Sequence, residues 1–230
     1  MPPSDAPVLV GCAHGTRDPA GRRAAARLRL DVAALRPGLT VLAASVDVQR
    51  PALPQVLARV AAAGRRAVVV PLLLSAGYHV HTDVKAAVAA VPGCLAACAL
   101  GPDGDLVTLL AERLREAGAP DGTPVVLAAA GSSDARAVAD VENVAEALAQ
   151  LRGAAVTPAY LSAARPRVED VIEPGAVVAG YLLSPGFFAD RLERVARAAG
   201  AAVVSGPLAP HPLLASLVLR RYDEALADRG

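Results

Sequence analysis

The sequence predicts an α/β protein with two similar lobes, each built on a doubly wound parallel sheet. Continuous apolar segments of strand length alternate with segments of helical periodicity along the chain, a pattern typical of parallel sheets covered on both faces. Short motifs from the first half then recur in the same order in the second half, which indicates an internal duplication. A length of 230 residues suits two small lobes.

The elements of the first lobe follow from apolar periodicity. The segment PVLVGCA at the start is continuously apolar and predicts a buried strand, and later apolar runs predict further strands. Helices are predicted where apolar residues return every three or four positions, and Thr82 is the expected N-cap of the third helix. The predicted strands cover residues 7–13, 39–46, 66–74 and 94–100, and the predicted helices cover residues 21–35, 52–62, 82–90 and 106–117.

Four motifs carry the repeat. The pairs are GTRD at 15–18 with GSSD at 131–134, QRP at 49–51 with ARP at 164–166, LLSAG at 73–77 with LLSPG at 182–186, and GP at 101–102 with GP at 206–207. The segment GAPDGTP at 118–124 has the composition of a linker. The predicted lobes are therefore residues 1–120 and residues 121–230.

Histidines follow predicted strands in the first lobe and are replaced in the repeat. His14 follows the first strand, whereas His79 and His81 follow the third. In the sequence alignment of the two halves, the matching positions are Ala130, Phe188 and Asp190. A duplicated fold that loses its histidines in one copy indicates a single working site, in the N-terminal lobe.

The same histidines predict metal or proton chemistry. In open α/β sheets, ligands bind at the carboxyl ends of strands, near the point where the strand order reverses. His14 and His79 would then face one crevice, and Asp47 at the end of the intervening strand would join them. Two imidazoles and a carboxylate suit a loosely held divalent ion, and histidine is also a natural proton acceptor near neutral pH.

Composition and missing motifs exclude several functions. A net charge of +1 without a basic segment argues against nucleic-acid binding. The chain contains no GxGxxG, GxxxxGK[ST] or GxSxG motif, so neither a dinucleotide, ATP nor a serine nucleophile is indicated. No apolar segment is long enough to span a membrane and no signal peptide is recognisable, so a cytoplasmic protein is expected. The three cysteines form no CxxC pair and are expected to be reduced and mostly buried.

Three segments together resemble the sirohydrochlorin chelatase family, the class II chelatases. They are HGTRDP at 14–19, VDVQRP at 46–51 and PLLLSAGYHVHTDV at 71–84, and the similarity extends over nearly the whole chain. The resemblance is to the long form, in which two fused lobes surround a central cleft. It implies a lyase that inserts Fe²⁺ or Co²⁺ into sirohydrochlorin, for siroheme or cobalamin synthesis, without ATP or an organic cofactor. Because the duplication replaces a homodimer, a monomer is expected.

The resemblance also implies roles for individual residues. The metal-handling residues would be His14, His79 and Asp47, with the two histidines as catalytic groups; many relatives carry Glu at the position of Asp47. The remaining expected contacts anchor the tetrapyrrole carboxylates or shape the wall of the site: Gly15, Thr16, Arg17, Arg50, Ser75, Gly77, Tyr78 and His81.

Two alternatives stay open at the level of sequence. One is a carrier that binds a tetrapyrrole or a metal without catalysis. The other is a nickel chelatase that acts on a related tetrapyrrole. The ligand set suits several divalent metals, so the sequence does not select among them.

Overall fold

A computed structural model describes residues 6–75 and 78–228, the second range with side chains from residue 82 onward. Its elements alternate as predicted and form parallel sheets flanked by helices, which confirms the α/β fold class. The strands are β1 (Val8–Ala13), β2 (Val41–Ser45), β3 (Ala67–Pro71), β4 (Cys94–Ala96), β5 (Val125–Ala129), β6 (Val156–Tyr160), β7 (Val177–Tyr181) and β8 (Val203–Val204). The helices are α1 (Pro19–Leu35), α2 (Leu53–Ala62), α3 (Tyr78–Ala89), α4 (Gly104–Glu116), α5 (Ala135–Arg152), α6 (Val168–Val171), α7 (Phe187–Ala198) and α8 (Pro212–Ala227).

The two sheets have the same strand order. It is β2-β1-β3-β4 in the first and β6-β5-β7-β8 in the second, and every pairing is parallel. In the first sheet β1 lies between β2 and β3, and its residues Val8–Val10 are almost completely buried. Burial on both faces explains why this strand is a continuous apolar run rather than an alternating one.

Helix α3 begins earlier than the sequence predicts. It starts at Tyr78, four residues before the predicted helix, so the expectation of an N-cap at Thr82 is wrong. The backbone of residues 78–81 is therefore helical instead of forming a loop. Strand β4 is shorter than predicted, although the chain after it stays beside β3, because Ala97 N–H donates to Val69 O over 2.8 Å.

The chain divides into two compact units that are not contiguous in sequence. Unit 1 contains residues 1–100 and 210–230, and unit 2 contains residues 101–209. The division differs from the predicted lobes, because each half of the chain contributes its last helix to the other unit. Helix α4 packs on α5 and β7 of unit 2, whereas α8 packs on α1, β3 and β4 of unit 1. Among the described residues, no helix is long and apolar enough to cross a membrane.

Corresponding helices begin with the same device. The carboxylate of Asp18 accepts a hydrogen bond from Gly21 N–H over 2.8 Å at the start of α1. Asp134 caps α5 in the same way, through Arg136 N–H over 3.0 Å. These caps satisfy backbone donors that the first helical turn leaves without partners. The Asp that ends both GTRD and GSSD is thus a helix N-cap in each unit.

Hydrogen bonds and an ion pair hold helix α8 on unit 1. The hydroxyl of Tyr222, a side chain only 2 % exposed, donates to the carbonyl oxygen of Pro7 over 2.7 Å. The Arg221 guanidinium donates to the carbonyls of Ala99 and Leu100, and Arg36, the C-cap of α1, forms a bidentate ion pair with Asp223. The C-terminal helix is therefore a structural part of the unit that begins the chain.

The substitution Tyr222→Phe should lower the free energy of unfolding by about 1–2 kcal/mol. It leaves the buried Pro7 carbonyl without its donor, at the usual cost of an unmade buried hydrogen bond. Urea denaturation followed by circular dichroism measures the change. As a control, Asp223→Asn removes the charge of an exposed ion pair and should cost less than about 1 kcal/mol. Equal losses in the two variants would contradict this account of the helix.

Candidate active site

The strand order of unit 1 creates one topological switch point, between β1 and β3. From β1 the chain passes through α1 to β2 on one side, and β3 then pairs with the other side of β1. The segments that follow β1 and β3 therefore diverge at the carboxyl edge of the sheet, where α/β proteins bind ligands. His14 is the first residue after β1, and the backbone of His79 lies in the first turn of α3.

The segments after β1 and β2 are joined by backbone hydrogen bonds beyond the ends of the strands. Val46 N–H donates to Ala13 O over 3.0 Å, and Asp47 N–H donates to His14 O over 2.9 Å. The side chains of His14 and Asp47 are both exposed. The parallel ladder thus continues into the loops and brings the main chains of two predicted site residues together.

Gly15 permits this close approach. Its φ is +105°, and a Cβ atom built on it would lie 1.9 Å from the carbonyl oxygen of Asp47. Unit 2 repeats the arrangement: Gly131 has a φ of +92°, and its Cβ would lie 1.9 Å from Ser162 O. No side chain fits either position, so the glycine of HGTRDP is a packing requirement as well as a conformational one.

The Asp47 loop contains a γ-turn of positive φ. Gln49 N–H donates to Asp47 O over 2.6 Å, around Val48 with a φ of 62°. The carboxylate of Asp47 accepts from Val48 N–H over 2.7 Å, which holds the turn from the side chain. A β-branched residue in this region is an outlier that costs about 1–3 kcal/mol, a kind of strain that is concentrated at functional sites.

The same turn is present in unit 2. Ala163 has a φ of 57°, and Ala164 N–H donates to Ser162 O over 2.6 Å. The hydroxyl of Ser162 donates to Ala130 O over 2.7 Å, a bond that the Asp47 carboxylate does not reproduce. The turn is therefore part of the duplicated fold, whereas the side chains around it differ between the units.

The arginines near His14 differ in their contacts with the rest of the protein. Arg22 donates from Nε to Thr16 O over 3.1 Å and from Nη2 to Arg17 O over 3.0 Å, and so braces the loop. Arg17 and Arg50 are exposed at the same edge of the sheet. Exposed guanidinium groups suit carboxylate ligands, because their paired N–H donors match the two oxygens.

The other predicted contact residues are only partly described. Thr16 is half-buried; its hydroxyl accepts from Asp18 N–H, and its own N–H donates to Gln49 Oε1 over 2.9 Å. Ser75 is half-buried at the end of the first described range. Gly77 lies outside the described residues, as do the side chains of Tyr78, His79 and His81. Within the described side chains, no three His, Cys, Asp or Glu residues form a metal-binding group.

Sequence reasoning missed one residue of this edge, Gln49. Its side chain links the two loops through Thr16. The only sequence signal for Gln49 was its place beside Arg50 in a repeated motif whose other copy has alanine. A glutamine side chain does not mark chemistry by itself.

The burial pattern of α3 and α7 differs by one position from the sequence alignment of the two halves. Leu192 lies 108 residues after Val84, and the same separation pairs the inward-facing residues of α3 and α7: Val84 with Leu192, Ala87 with Val195, and Val88 with Ala196. Extended back to the start of the helix, this register would pair His79 with Phe187, whereas the helix bounds and the LLSAG–LLSPG motif keep the offset of 109 residues that pairs it with Phe188. Phe187 is 67 % exposed and meets Phe188 edge to face at 5.3 Å.

Cys12 lies two residues before His14 but belongs to the core. Burial raises the pKa of its thiol to about 12, although the nearby Arg29 guanidinium opposes the shift. A thiol of this kind stays protonated at neutral pH and is a poor metal ligand. The expected burial holds for Cys12 and Cys94, whereas Cys98 lies beyond β4 and is exposed.

A cavity in unit 2 is not lined by residues of the carboxyl edge of the first sheet, where His14 lies. Its volume is about 460 Å³, and it is lined by α7, β7 and the segment from 201 to 207. The charged residues Glu193 and Arg197 of its lining form an ion pair at 2.6 Å. No histidine or cysteine lines it, so it lacks the soft or borderline donors that iron and cobalt prefer.

Comparison with protein families settles the assignment. The CbiX family model matches residues 8–117 and residues 124–225. The chain belongs to the CbiX family. The two matched stretches correspond to the two sequence repeats, and the resemblance to sirohydrochlorin chelatases is confirmed.

Solved structures share the fold. SirB from Bacillus subtilis with Fe³⁺ matches with a TM-score of 0.83 at 24 % identity, over 96 % of both chains. The sirohydrochlorin chelatase SirB from B. subtilis subspecies spizizenii, in complex with cobalt, matches with a TM-score of 0.81 at 21 % identity, over 96 % of this chain and 95 % of that one. A multi-domain protein from Deinococcus radiodurans with similarity to chelatases matches with a TM-score of 0.69 at 21 % identity, over 96 % of this chain and 56 % of that one. Among curated proteins, none matches the sequence significantly.

The substitution Gly15→Ala should lower the free energy of unfolding by about 3 kcal/mol. The new Cβ atom would collide with the Asp47 carbonyl, and the positive φ adds strain. The matched control is Gly38→Ala: Gly38 has a φ of +92°, but its Cβ would meet nothing within 4 Å. The control should cost about 1 kcal/mol. Urea denaturation of both variants measures the difference, and equal costs would show that the loops do not approach as described.

Thiol labelling tests the placement of the cysteines. In the native protein at mildly alkaline pH, Ellman's reagent should react rapidly with Cys98 and slowly with Cys12 and Cys94, because burial raises the pKa of both of those thiols. All three should react after denaturation. Rapid native labelling of Cys12, detected by peptide mass spectrometry, would contradict its assignment to the core.

Proposed function

We propose that this protein inserts Fe²⁺ or Co²⁺ into sirohydrochlorin, as a chelatase of the lyase class, in siroheme or cobalamin synthesis. The observation that carries the proposal is the strand order of unit 1. It brings the loop after β1, with His14, and the first turn of α3, with His79, to either side of the β1–β3 switch point. The family supports a chelatase, and SirB structures that hold Fe³⁺ and cobalt support the choice of ions.

The proposed chemistry is an exchange of two protons for one cation. The macrocycle loses two pyrrole N–H protons and gains one divalent metal, so its net charge is unchanged and no ATP or organic cofactor is required. His14 and His79 would present the ion and accept the protons, since imidazole can perform either task. The site must hold the metal weakly, because the ring nitrogens have to take the ion from it.

Asp47 would supply charge compensation beside the histidines. Its carboxylate already accepts from Val48 N–H through one oxygen, which orients it in the loop. It is one methylene shorter than the Glu common among relatives, so we propose an electrostatic role in attracting the cation. Its exposure is consistent with transient contact with a metal that passes to the substrate.

The tetrapyrrole carboxylates would be bound by exposed cations and small residues at the same edge. Arg17 and Arg50 are the proposed anchors. Gly15 and Thr16 would let the ring approach the backbone, although the Thr16 N–H is engaged by Gln49 and so is not itself a proposed anchor. The proposed wall beside His79 consists of Ser75, Gly77, Tyr78 and His81. Because both lobes lie in one chain, the proposed enzyme is a monomer.

The test is an anaerobic insertion assay. Sirohydrochlorin absorption is followed after addition of Fe²⁺, Co²⁺ or Ni²⁺ in turn, with a no-enzyme reference for each metal. Substitution of His79 or His14 by alanine should lower the insertion rate about 100-fold or more, the range expected for loss of a group that transfers protons. The ranking of the metals identifies the ion that the site prefers.

The matched control is His211→Asn. His211 caps α8 by accepting from Leu213 N–H over 3.3 Å, and asparagine is a good N-cap, so the variant should fold and insert metal at the wild-type rate. Wild-type rates in both the His14 and His79 variants would contradict the site. A changed pigment spectrum without metal insertion would instead support a tetrapyrrole carrier, and insertion of nickel alone would support the nickel chelatase.

A further inference from the structure

Gln49 forms a side-chain link between the two loops of the candidate site. Its Oε1 accepts from Thr16 N–H over 2.9 Å, across 33 residues of sequence. On the other side of Gly15, Asp47 N–H donates to His14 O over 2.9 Å. The residue that carries the imidazole is therefore held by one cross-loop bond directly and by a second two residues later.

The geometry of the second loop aims Gln49 toward the first. The γ-turn around Val48 reverses the chain between Asp47 and Gln49. Asp47 then faces the backbone of His14, and the Gln49 side chain reaches back to Thr16. The turn, the close approach of Gly15 and the Gln49 link form one connected arrangement.

Unit 2 repeats the close approach of the loops and the turn of positive φ, but it has no counterpart of the Gln49 side chain. Gly131 approaches Ser162 O as Gly15 approaches Asp47 O, and Ala163 repeats the positive φ. Ala164 stands where unit 1 has Gln49, and Ala130 stands where it has His14. The fold therefore does not require the glutamine. It occurs in the unit that has the histidine.

We propose that Gln49 is a positioning residue, which holds the loop from His14 to Thr16 in the conformation that presents the His14 imidazole to the metal. This inference rests on the proposed function for its link to catalysis. Groups that orient a metal ligand from behind are commonly worth 10–100-fold in metal affinity or activity, on the order of the effect expected here.

The experiment compares three variants of the full-length protein. Gln49→Leu keeps the approximate shape and removes the acceptor, Gln49→Ala reproduces the residue of unit 2, and Gln49→Glu keeps an acceptor oxygen. For each we would measure Co²⁺ affinity by titration without tetrapyrrole, then kcat and KM for insertion of Co²⁺ into sirohydrochlorin. Denaturation midpoints and exchange of the Thr16 amide hydrogen would be measured in parallel.

The Leu and Ala variants should bind Co²⁺ about tenfold more weakly and lose about tenfold in kcat, with KM for sirohydrochlorin unchanged. Their Thr16 amide should exchange faster than in wild type. The Glu variant should stay near wild type in all these quantities. A merely structural role would lower the denaturation midpoint and leave Co²⁺ affinity and kcat unchanged.

Three results would overturn the proposal. They are wild-type Co²⁺ affinity and kcat in the Leu variant, equal losses in the Leu and Glu variants, and an unchanged Thr16 exchange rate. A wild-type protein that inserts no metal would overturn the proposed function, and the Co²⁺ titration would still decide the role of Gln49. The two failures are therefore distinguishable.

Discussion

The approach of Gly15 to the carbonyl of Asp47 is the constraint on which the candidate site depends. A Cβ atom at Gly15 would lie 1.9 Å from that oxygen, so only glycine lets the loops after β1 and β2 meet. The ladder bond from Asp47 N–H to His14 O and the γ-turn at Val48 both lie within this contact. These contacts fix the backbone positions of His14 and Asp47, so only the torsion angles of the two side chains remain to be set.

The duplication separates what the fold needs from what the proposed chemistry needs. Gly131, the turn at Ala163 and the capping Asp134 repeat the frame of unit 1, so these features belong to the architecture. The histidine positions do not repeat: Ala130 matches His14, and a phenylalanine, Phe187 or Phe188, matches His79. Unit 1 thus carries polar groups at positions where unit 2 has apolar ones, while unit 2 repeats the surrounding backbone arrangement.

The sequence predicts the presence of β1 and β3 well, because both strands are buried on both faces and appear as unbroken apolar runs. The early start of α3 escapes prediction, since Thr82 and Asp83 form a stronger local start signal than Tyr78. The sequence also fails to predict that α4 belongs to unit 2 and α8 to unit 1. An amphipathic pattern does not specify which sheet the apolar face of a helix covers. The Gln49 link depends on a positive φ at Val48, which its β-branched side chain argues against.

The most direct test of the central claim is a crystal structure of the protein soaked with Co²⁺, with the metal located by anomalous scattering at the cobalt edge. The account predicts one principal peak beside the β1–β3 switch point of unit 1, with imidazole nitrogens of His14 and His79 at about 2.1 Å, as in other histidine–metal sites. A principal peak in unit 2, or one that neither histidine contacts, would contradict it.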